Sequence, residues 1–256
     1  MITVLIGPSG AGKDALLAAI KEAGVAKPIV SFTTRPKREN EIDGVHYNFI
    51  SDEQFSEIEH NFFQKREYET ILNGKKAVWK YAMPWELDDG NHCIIVNKEG
   101  FESIAEHFGR DNVFNIYIHV SDNIRRERAE KRGSFCEQEW NRRLEDDRRA
   151  FGNLDYYDYV VNNNGDFHET LNKVVDIIKS EHRRHPYVEL LKNNSEVIFE
   201  ENQMIVHVAE HSEENYEYSI LDILNGDIDD GYLEDGGFIN VDYPSEVIRE
   251  AARYAN

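Results

Sequence analysis

Short, largely apolar runs recur at Ile2–Ile6, Ile29–Ser31, Cys93–Asn97, Val113–Val120 and Tyr159–Val161. Runs such as Cys93-Ile94-Ile95-Val96 lack polar alternation, which is the signature of strands buried on both faces in a parallel sheet. Between them lie longer segments with helical spacing: Gly12–Ala23, Asp52–His60, Lys98–Phe108, Asn123–Lys131, Gln138–Phe151 and Phe167–Arg184. Two helix starts carry capping-box spacing, Ser51-x-x-Gln54 and Asp166-x-x-Glu169. The alternation predicts an α/β fold over residues 1–185, with a parallel sheet flanked by helices.

The rhythm breaks over residues of about 32–89 into short, polar, aromatic-rich pieces. This reads as an insertion standing over the carboxyl edge of the sheet, where open α/β sheets bind ligands. A second break, about 132–137, separates two charged helices and is the candidate lid. Beyond His185 the character changes again. Residues 186–256 predict a small α+β appendage, with strand-like pieces at Glu196–Phe199 and Met204–Val208, an Asp/Gly-rich loop at Asn225–Gly237, and a helix-like end at Ser245–Ala255.

Composition narrows the function classes. The 256 residues are 40% hydrophobic and carry a formal net charge of −20. The 186–256 segment alone holds 17 acidic and 3 basic side chains. Such a surface repels nucleic acid and anionic membranes, so neither is an expected partner. The acidic extension, whose role the sequence does not disclose, is a candidate docking segment for a protein partner. No run approaches the roughly 18 apolar residues of a membrane span. The opening strand-like run has no features of a secretory leader. Cys93 and Cys136 lie far apart without CxxC spacing, which argues against disulfides and thiolate zinc sites and for a reducing cytoplasm.

An anionic ligand on this acidic chain needs a focused cationic patch, and two are visible. The first is Gly7-Pro8-Ser9-Gly10-Ala11-Gly12-Lys13-Asp14, between the first apolar run and a helix-forming run. Glycines let successive N–H groups converge on phosphate oxygens, the helix N-terminus adds partial positive charge, and Lys13 reaches the β/γ-phosphates. Asp14 stands where a Ser or Thr hydroxyl usually meets Mg²⁺; a carboxylate is itself a hard oxygen ligand. The competing explanation is an ordinary glycine turn. In the second patch, Arg35 and Arg38 lie three residues apart beside a hydroxyl-rich turn, with Glu41 and Tyr47 following. Two guanidinium forks and a phenol suit a terminal phosphate. A solvated basic loop is the alternative.

These residues together closely resemble the guanylate kinase family. The pattern Gly-Pro-Ser-Gly-x-Gly-Lys is followed by Ser-x-Thr-Thr-Arg-x-x-Arg-x-x-Glu-x-x-Gly-x-x-Tyr-x-Phe, met here by Ser31, Thr33, Thr34, Arg35, Arg38, Glu41, Gly44, Tyr47 and Phe49. The similarity extends to Arg132-Gly133, Asn141-Arg142-Arg143-Leu144 and Tyr157–Asn163, covering about residues 1–183. It implies a P-loop NTPase-type sheet, ATP with Mg²⁺ on Gly7, Ser9–Asp14 and Lys13, and a nucleoside monophosphate, GMP or dGMP, on Ser31, Arg35, Arg38, Glu41 and Tyr47. It further implies that Arg132 and Arg143 close on the transferring phosphoryl group. In the base-reading region the chain departs from the family pattern. Glu67 matches the guanine-reading carboxylate, with Glu69 as the alternative, and Tyr81 matches the family tyrosine. Met83 replaces a serine and Asn97 an aspartate, which leaves other (deoxy)nucleoside monophosphates open. The rival from another class is a non-catalytic binding module on the same scaffold.

Overall fold

A computed structural model describes residues 1–256 except 40, 73–74, 132–134, 152–156, 195, 202–203, 213–214, 223–227, 235–243 and 255–256. In chain order the first elements are β1 (Ile2–Ile6), α1 (Lys13–Glu22), β2 (Lys27–Pro28), β3 (Phe32–Thr33), β4 (Asn48–Phe49), α2 (Asp52–Ile58), β5 (Phe62–Leu72), β6 (Lys75–Pro84) and β7 (His92–Ile95). They are followed by α3 (Lys98–Phe108), β8 (Val113–His119), α4 (Asp122–Lys131), α5 (Glu137–Phe151), β9 (Tyr159–Asn162) and α6 (Phe167–Asn193). The chain then runs through β10 (Glu196–Glu201), β11 (Met204–Ser212), β12 (Asn215–Asp222), β13 (Ile228–Glu234) and α7 (Pro244–Tyr254).

The expected parallel sheet is present, in the order β2-β7-β1-β8-β9 with every pairing parallel. All five residues of β1 are buried because both faces of this central strand are covered. Side-chain alternation sends Leu5 into one core with Leu16 and Ile20 of α1 and Val174 and Ile178 of α6. Val4 and Ile6 enter the opposite core with Phe101 and Ile104 of α3. At an early edge the expected strand at Ile29–Ser31 is shifted: Lys27–Pro28 pair with β7, and Ile29 N–H donates to the Cys93 carbonyl at 2.9 Å.

The insertion is more regular than its polar pieces suggested. Its strands form a separate sheet, β4-β3-β6-β5, dominated by the long β5–β6 hairpin. Ser51 caps α2 as the capping-box spacing predicts, donating its N–H to Gln54 Oε1 at 2.9 Å and accepting from Gln54 N–H at 3.2 Å. Of the candidate lid, residues 132–134 fall outside the described set, and α5 begins at Glu137.

Two expectations about the C-terminal part are corrected. The helix expected to stop at Arg184 continues through Pro186 to Asn193. Proline inside a helix costs about 3 kcal/mol. Here the buried stripe Val174, Ile178, Glu181, Arg184 simply runs on to Val188 and Leu191. Those two side chains enter the core of the tail with Val206, Val208, Val247 and Ile248, and burying two aliphatic side chains gains about 1.5–3 kcal/mol each. Within the expected acidic loop at Asn225–Gly237, residues Ile228–Glu234 instead form β13, the last strand of the antiparallel sheet β10-β11-β12-β13.

Candidate active site

The glycine-rich loop leaves the carboxyl end of β1, and its carbonyls are each held by a side-chain donor. Lys13 Nζ donates to the Gly7 and Pro8 carbonyls at 2.6 and 2.9 Å. Arg125 Nε donates to Ser9 O at 2.7 Å, Arg128 Nη1 to Gly10 O at 3.3 Å, and Asn163 Nδ2 to Ala11 O at 2.8 Å. A peptide whose carbonyl is held on one side presents its N–H to the other. The loop also closes on itself, Ala11 N–H donating to the Pro8 carbonyl at 3.2 Å, and tethered carbonyls beside positive-φ glycines are what anion-binding nests share. Gly12 sits at φ 92°, and a Cβ there would meet Asn163 Nδ2 at 2.8 Å, so only glycine fits without displacing that amide. Gly7 approaches the Ile118 carbonyl just as closely, at 2.7 Å from a built Cβ.

Two features here lay beyond the sequence reading. Arg125, from α4, is buried and forms ion pairs with Asp122 at 2.9 Å and with Asp147. Asp147, from α5, in turn accepts the Ser9 N–H at 3.2 Å. Burial raises the Asp147 carboxyl above the usual range, although Arg125 beside it pulls the other way. Burial also lowers the Lys13 ammonium, against the opposing pull of Asp14 and Asp147. Asp14 itself is exposed in the first turn of α1. Arg143 lies on the exposed side of α5, and Arg132 lies outside the described residues.

The second cationic patch is assembled by the insertion. Arg35 is buried and pairs through Nη2 with Glu41 Oε1 at 2.7 Å, while Glu41 Oε2 accepts the Arg38 N–H at 2.8 Å. This pairing holds the Glu41 carboxyl down at about 2, below the usual carboxylate range. The Arg35 guanidinium also lies 5.5 Å from the centres of the Tyr47 and Phe49 rings. Tyr47 and Tyr81 meet edge-on at 5.9 Å. Both tyrosines belong to a cleft of about 270 Å³ that also takes in Ser31, Gln64, Arg66, Met83, Ile95, Val96 and Asn97.

Ser31, Tyr47, Tyr81 and Asn97, all expected at the monophosphate site, thus line one cleft. Glu67 and Glu69 do not. In the hairpin Gln64 pairs with Met83 and Arg66 with Tyr81, whereas Glu67 pairs with Lys80 on the other face. The wall facing the cleft at this level is Gln64 and Arg66. Asn97 caps α3, accepting the Gly100 N–H at 3.0 Å, and donates to Glu99 Oε2 at 3.2 Å. On α6, His182 bonds Asn91 and His185 bonds Asn112 at 2.8 Å, both away from the cleft lining.

A phosphate-cradling loop at the carboxyl end of a central parallel strand, with an arginine-lined insertion beside it, defines a phosphotransferase of the P-loop class. The guanylate kinase family model matches residues 1–181, so the chain belongs to the guanylate kinase family, whose members are nucleoside monophosphate kinases. It is 32% identical to a guanylate kinase of Helicobacter pylori over 70% of this chain and 84% of that one. To a guanylate kinase of Desulfitobacterium hafniense it is 31% identical over 73% of this chain and 95% of the other. A crystal structure of guanylate kinase from Anaplasma phagocytophilum covers 71% of this chain and 85% of its own, with 24% identity and a TM-score of 0.49.

Proposed function

We propose that this enzyme transfers the γ-phosphoryl group of ATP to GMP or dGMP. One observation carries the reading: a tethered glycine loop leaves the carboxyl end of β1, and an arginine cluster lies beside a cleft that reaches Ile95–Asn97 at the end of the neighbouring β7. The loop is Gly7–Lys13, whose carbonyls are tied back; the cluster is Arg35–Glu41–Arg38 beside the Tyr47–Tyr81 cleft. Phosphoryl transfer leaves a protein little covalent work, so catalysis is positioning and neutralisation of developing charge.

In this reading Lys13 exchanges its bonds to the Gly7 and Pro8 carbonyls for β/γ-phosphate oxygens, and the loop N–H groups hold the remaining charge. Arg35, kept in place by Glu41, and Arg38 grip the acceptor phosphate, with Tyr47 donating a hydroxyl. Arg143, with Arg132, neutralises the transferring group and shields it from water.

Mg²⁺ would come with ATP. Asp14 fits such a role as an exposed hard-oxygen donor at the loop exit, and among the described residues no group of three or more His, Cys, Asp and Glu is placed to hold a metal by itself. Asp14 would hold the ion together with nucleotide oxygens and water, and the ion would supply charge neutralisation across the phosphates. The acidic surface argues against nucleic-acid and anionic-membrane partners, and no helix among the described residues is long and apolar enough to cross a membrane. Cys93 and Cys136 are both free thiols, which suits a cytoplasmic enzyme. We assign residues 1–185 to the kinase unit and 186–256 to an extension open to a protein partner, the two joined through α6.

The test is ADP release in the presence of GMP, dGMP, AMP, dAMP, CMP, dCMP, UMP and dTMP. Turnover led by GMP or dGMP is expected. Absence of monophosphate-dependent ADP release with all eight rejects the proposal.

A further inference from the structure

The cleft beside the acceptor-phosphate cluster differs in chemistry from what Glu67 alone would suggest. Its lining includes the cross-strand pairs Gln64–Met83 and Arg66–Tyr81 together with Ser31, Ile95, Val96 and Gly100, and Tyr47, over which Arg35 lies, joins it to the phosphate cluster. Among the described residues, no carboxylate lines it. Arg66 is the guanidinium that lines it, and Arg66 Nη2 lies 3.6 Å from Glu99 Oε2 in the first turn of α3. The same Glu99 oxygen accepts from Asn97 Nδ2 at 3.2 Å. Glu99 therefore ties Arg66 to the rim residue Asn97. The amide nitrogen of Gln64 is spent on Ser103 Oγ at 3.1 Å, which leaves its carbonyl as a neutral acceptor.

This inventory selects one edge of one class of base. A guanidinium forks onto two neighbouring acceptors, and O6 with N7 of a 6-oxopurine is such a pair. A 6-aminopurine presents an N–H donor at the same edge and is repelled; a pyrimidine has no N7 and engages one prong at most. A neutral amide carbonyl suits N1–H, which guanine and hypoxanthine share. The 2-amino group peculiar to guanine meets no carboxylate here.

Taking the kinase reading above as given, we propose that Arg66, positioned by Glu99, recognises the O6/N7 edge of the acceptor base, and that the acceptor class is 6-oxopurine nucleoside monophosphates, IMP included. Arg66 touches the substrate and sets specificity; Glu99 acts through it.

The experiment uses the full chain with ATP and GMP, IMP or AMP, reading kcat and KM separately, with calorimetric titration of each monophosphate alone. IMP is expected within about tenfold of GMP in kcat/KM, because the unread 2-amino group contributes little discrimination. AMP is expected to fall far below both. Arg66→Gln should raise KM and Kd for GMP and IMP together by about 10- to 100-fold, as loss of a bidentate base contact does, with KM for ATP unmoved. Glu99→Gln should raise them by less, and Glu99→Asp should restore part of the loss. Arg66 is exposed, so its replacement removes no packing, and a thermal melt of each variant confirms that it is folded. GMP turnover with IMP reduced a thousandfold or more, or loss of guanine-over-hypoxanthine preference in Glu67→Gln, overturns the edge assignment while leaving the kinase reading intact. Turnover with AMP and none with GMP or IMP likewise overturns the edge assignment. Absence of ADP release with IMP and with all eight monophosphates named above overturns the kinase reading, and this proposal with it.

Discussion

The carboxylate of Asp147, on α5, accepts the backbone N–H of Ser9 at 3.2 Å while pairing with the buried Arg125. A negative side chain thus sits on a donor of the loop that, in the proposed reaction, faces phosphate. Because Arg125 also holds the Ser9 carbonyl at 2.7 Å, the pair grips both ends of one residue. Asp147→Asn keeps an acceptor for Ser9 and removes the charge. Repulsion of this kind near a protein surface amounts to about 1 kcal/mol or more, so KM for ATP should fall roughly fivefold. An unchanged or higher KM in steady-state kinetics would show that the carboxylate does not oppose nucleotide.

Lys13 has two employments, tying back the Gly7 and Pro8 carbonyls and, in the proposed reaction, meeting the phosphates. Lys13→Ala should lower kcat by about 10²- to 10³-fold, the usual cost of removing one preorganised donor from developing charge. The measurement is single-turnover ADP formation at saturating ATP. Retention of more than a tenth of the wild-type rate would contradict the assignment.

The Arg35–Glu41 pair makes a pH prediction with a defined sign. The Glu41 carboxyl is held at about 2 in the folded chain against 4.5 for a free one, chiefly by its hydrogen bond to Arg35. A depressed carboxylate contributes stability that is complete above the unfolded value and is lost as pH falls through the folded one. Wild type should therefore melt higher than Glu41→Gln at pH 5 and above. The gap should close between about pH 4.5 and 2. A gap that widens on acidification would reverse the argument.

Arg249 of α7 donates to Glu181 at 2.8 Å and to Asp158 at 3.1 Å, all three being buried. Arg110 joins the same Asp158 at 2.6 Å. Deleting one partner of a buried ion pair leaves uncompensated charge and costs about 3–5 kcal/mol. Arg249→Ala should lower the melting temperature by about 10 °C, read by calorimetry. A chain ending at residue 185 loses this arginine and also cuts α6 inside its helix, so its loss of stability should be greater. A truncated chain that melts like the full one would show that the network is dispensable.

Much of the nucleotide-binding half is local and therefore legible from the sequence. A buried strand, a loop with glycines at left-handed positions and a helix start are all encoded within residues 2–22. The Arg35–Glu41–Arg38 cluster is likewise closed over seven residues. What escaped reading is long-range. Arg125, Arg128, Asp147 and Asn163 come from α4, α5 and the end of β9 to meet the loop, and no spacing along the chain announces that meeting. The helix through Pro186 is similar: its local signal says stop, and the tail's core overrides it.

The hairpin shows where the division falls. Residue types alone determined the parallel sheet, the glycine loop after its first strand and the Arg35–Glu41–Arg38 cluster, because strand period, glycine turns and clustered arginines are short-range properties. Only the tertiary structure decided that Arg66, and not Glu67, lines the cleft. The β5–β6 register shifts between Phe62 and Gln64. From Gln64↔Met83 to Leu72↔Lys75 the register is unbroken, and a displacement of one residue in a strand exchanges its two faces, so the choice between a cation and an anion in the cleft is set by a hairpin register that sequence spacing does not display.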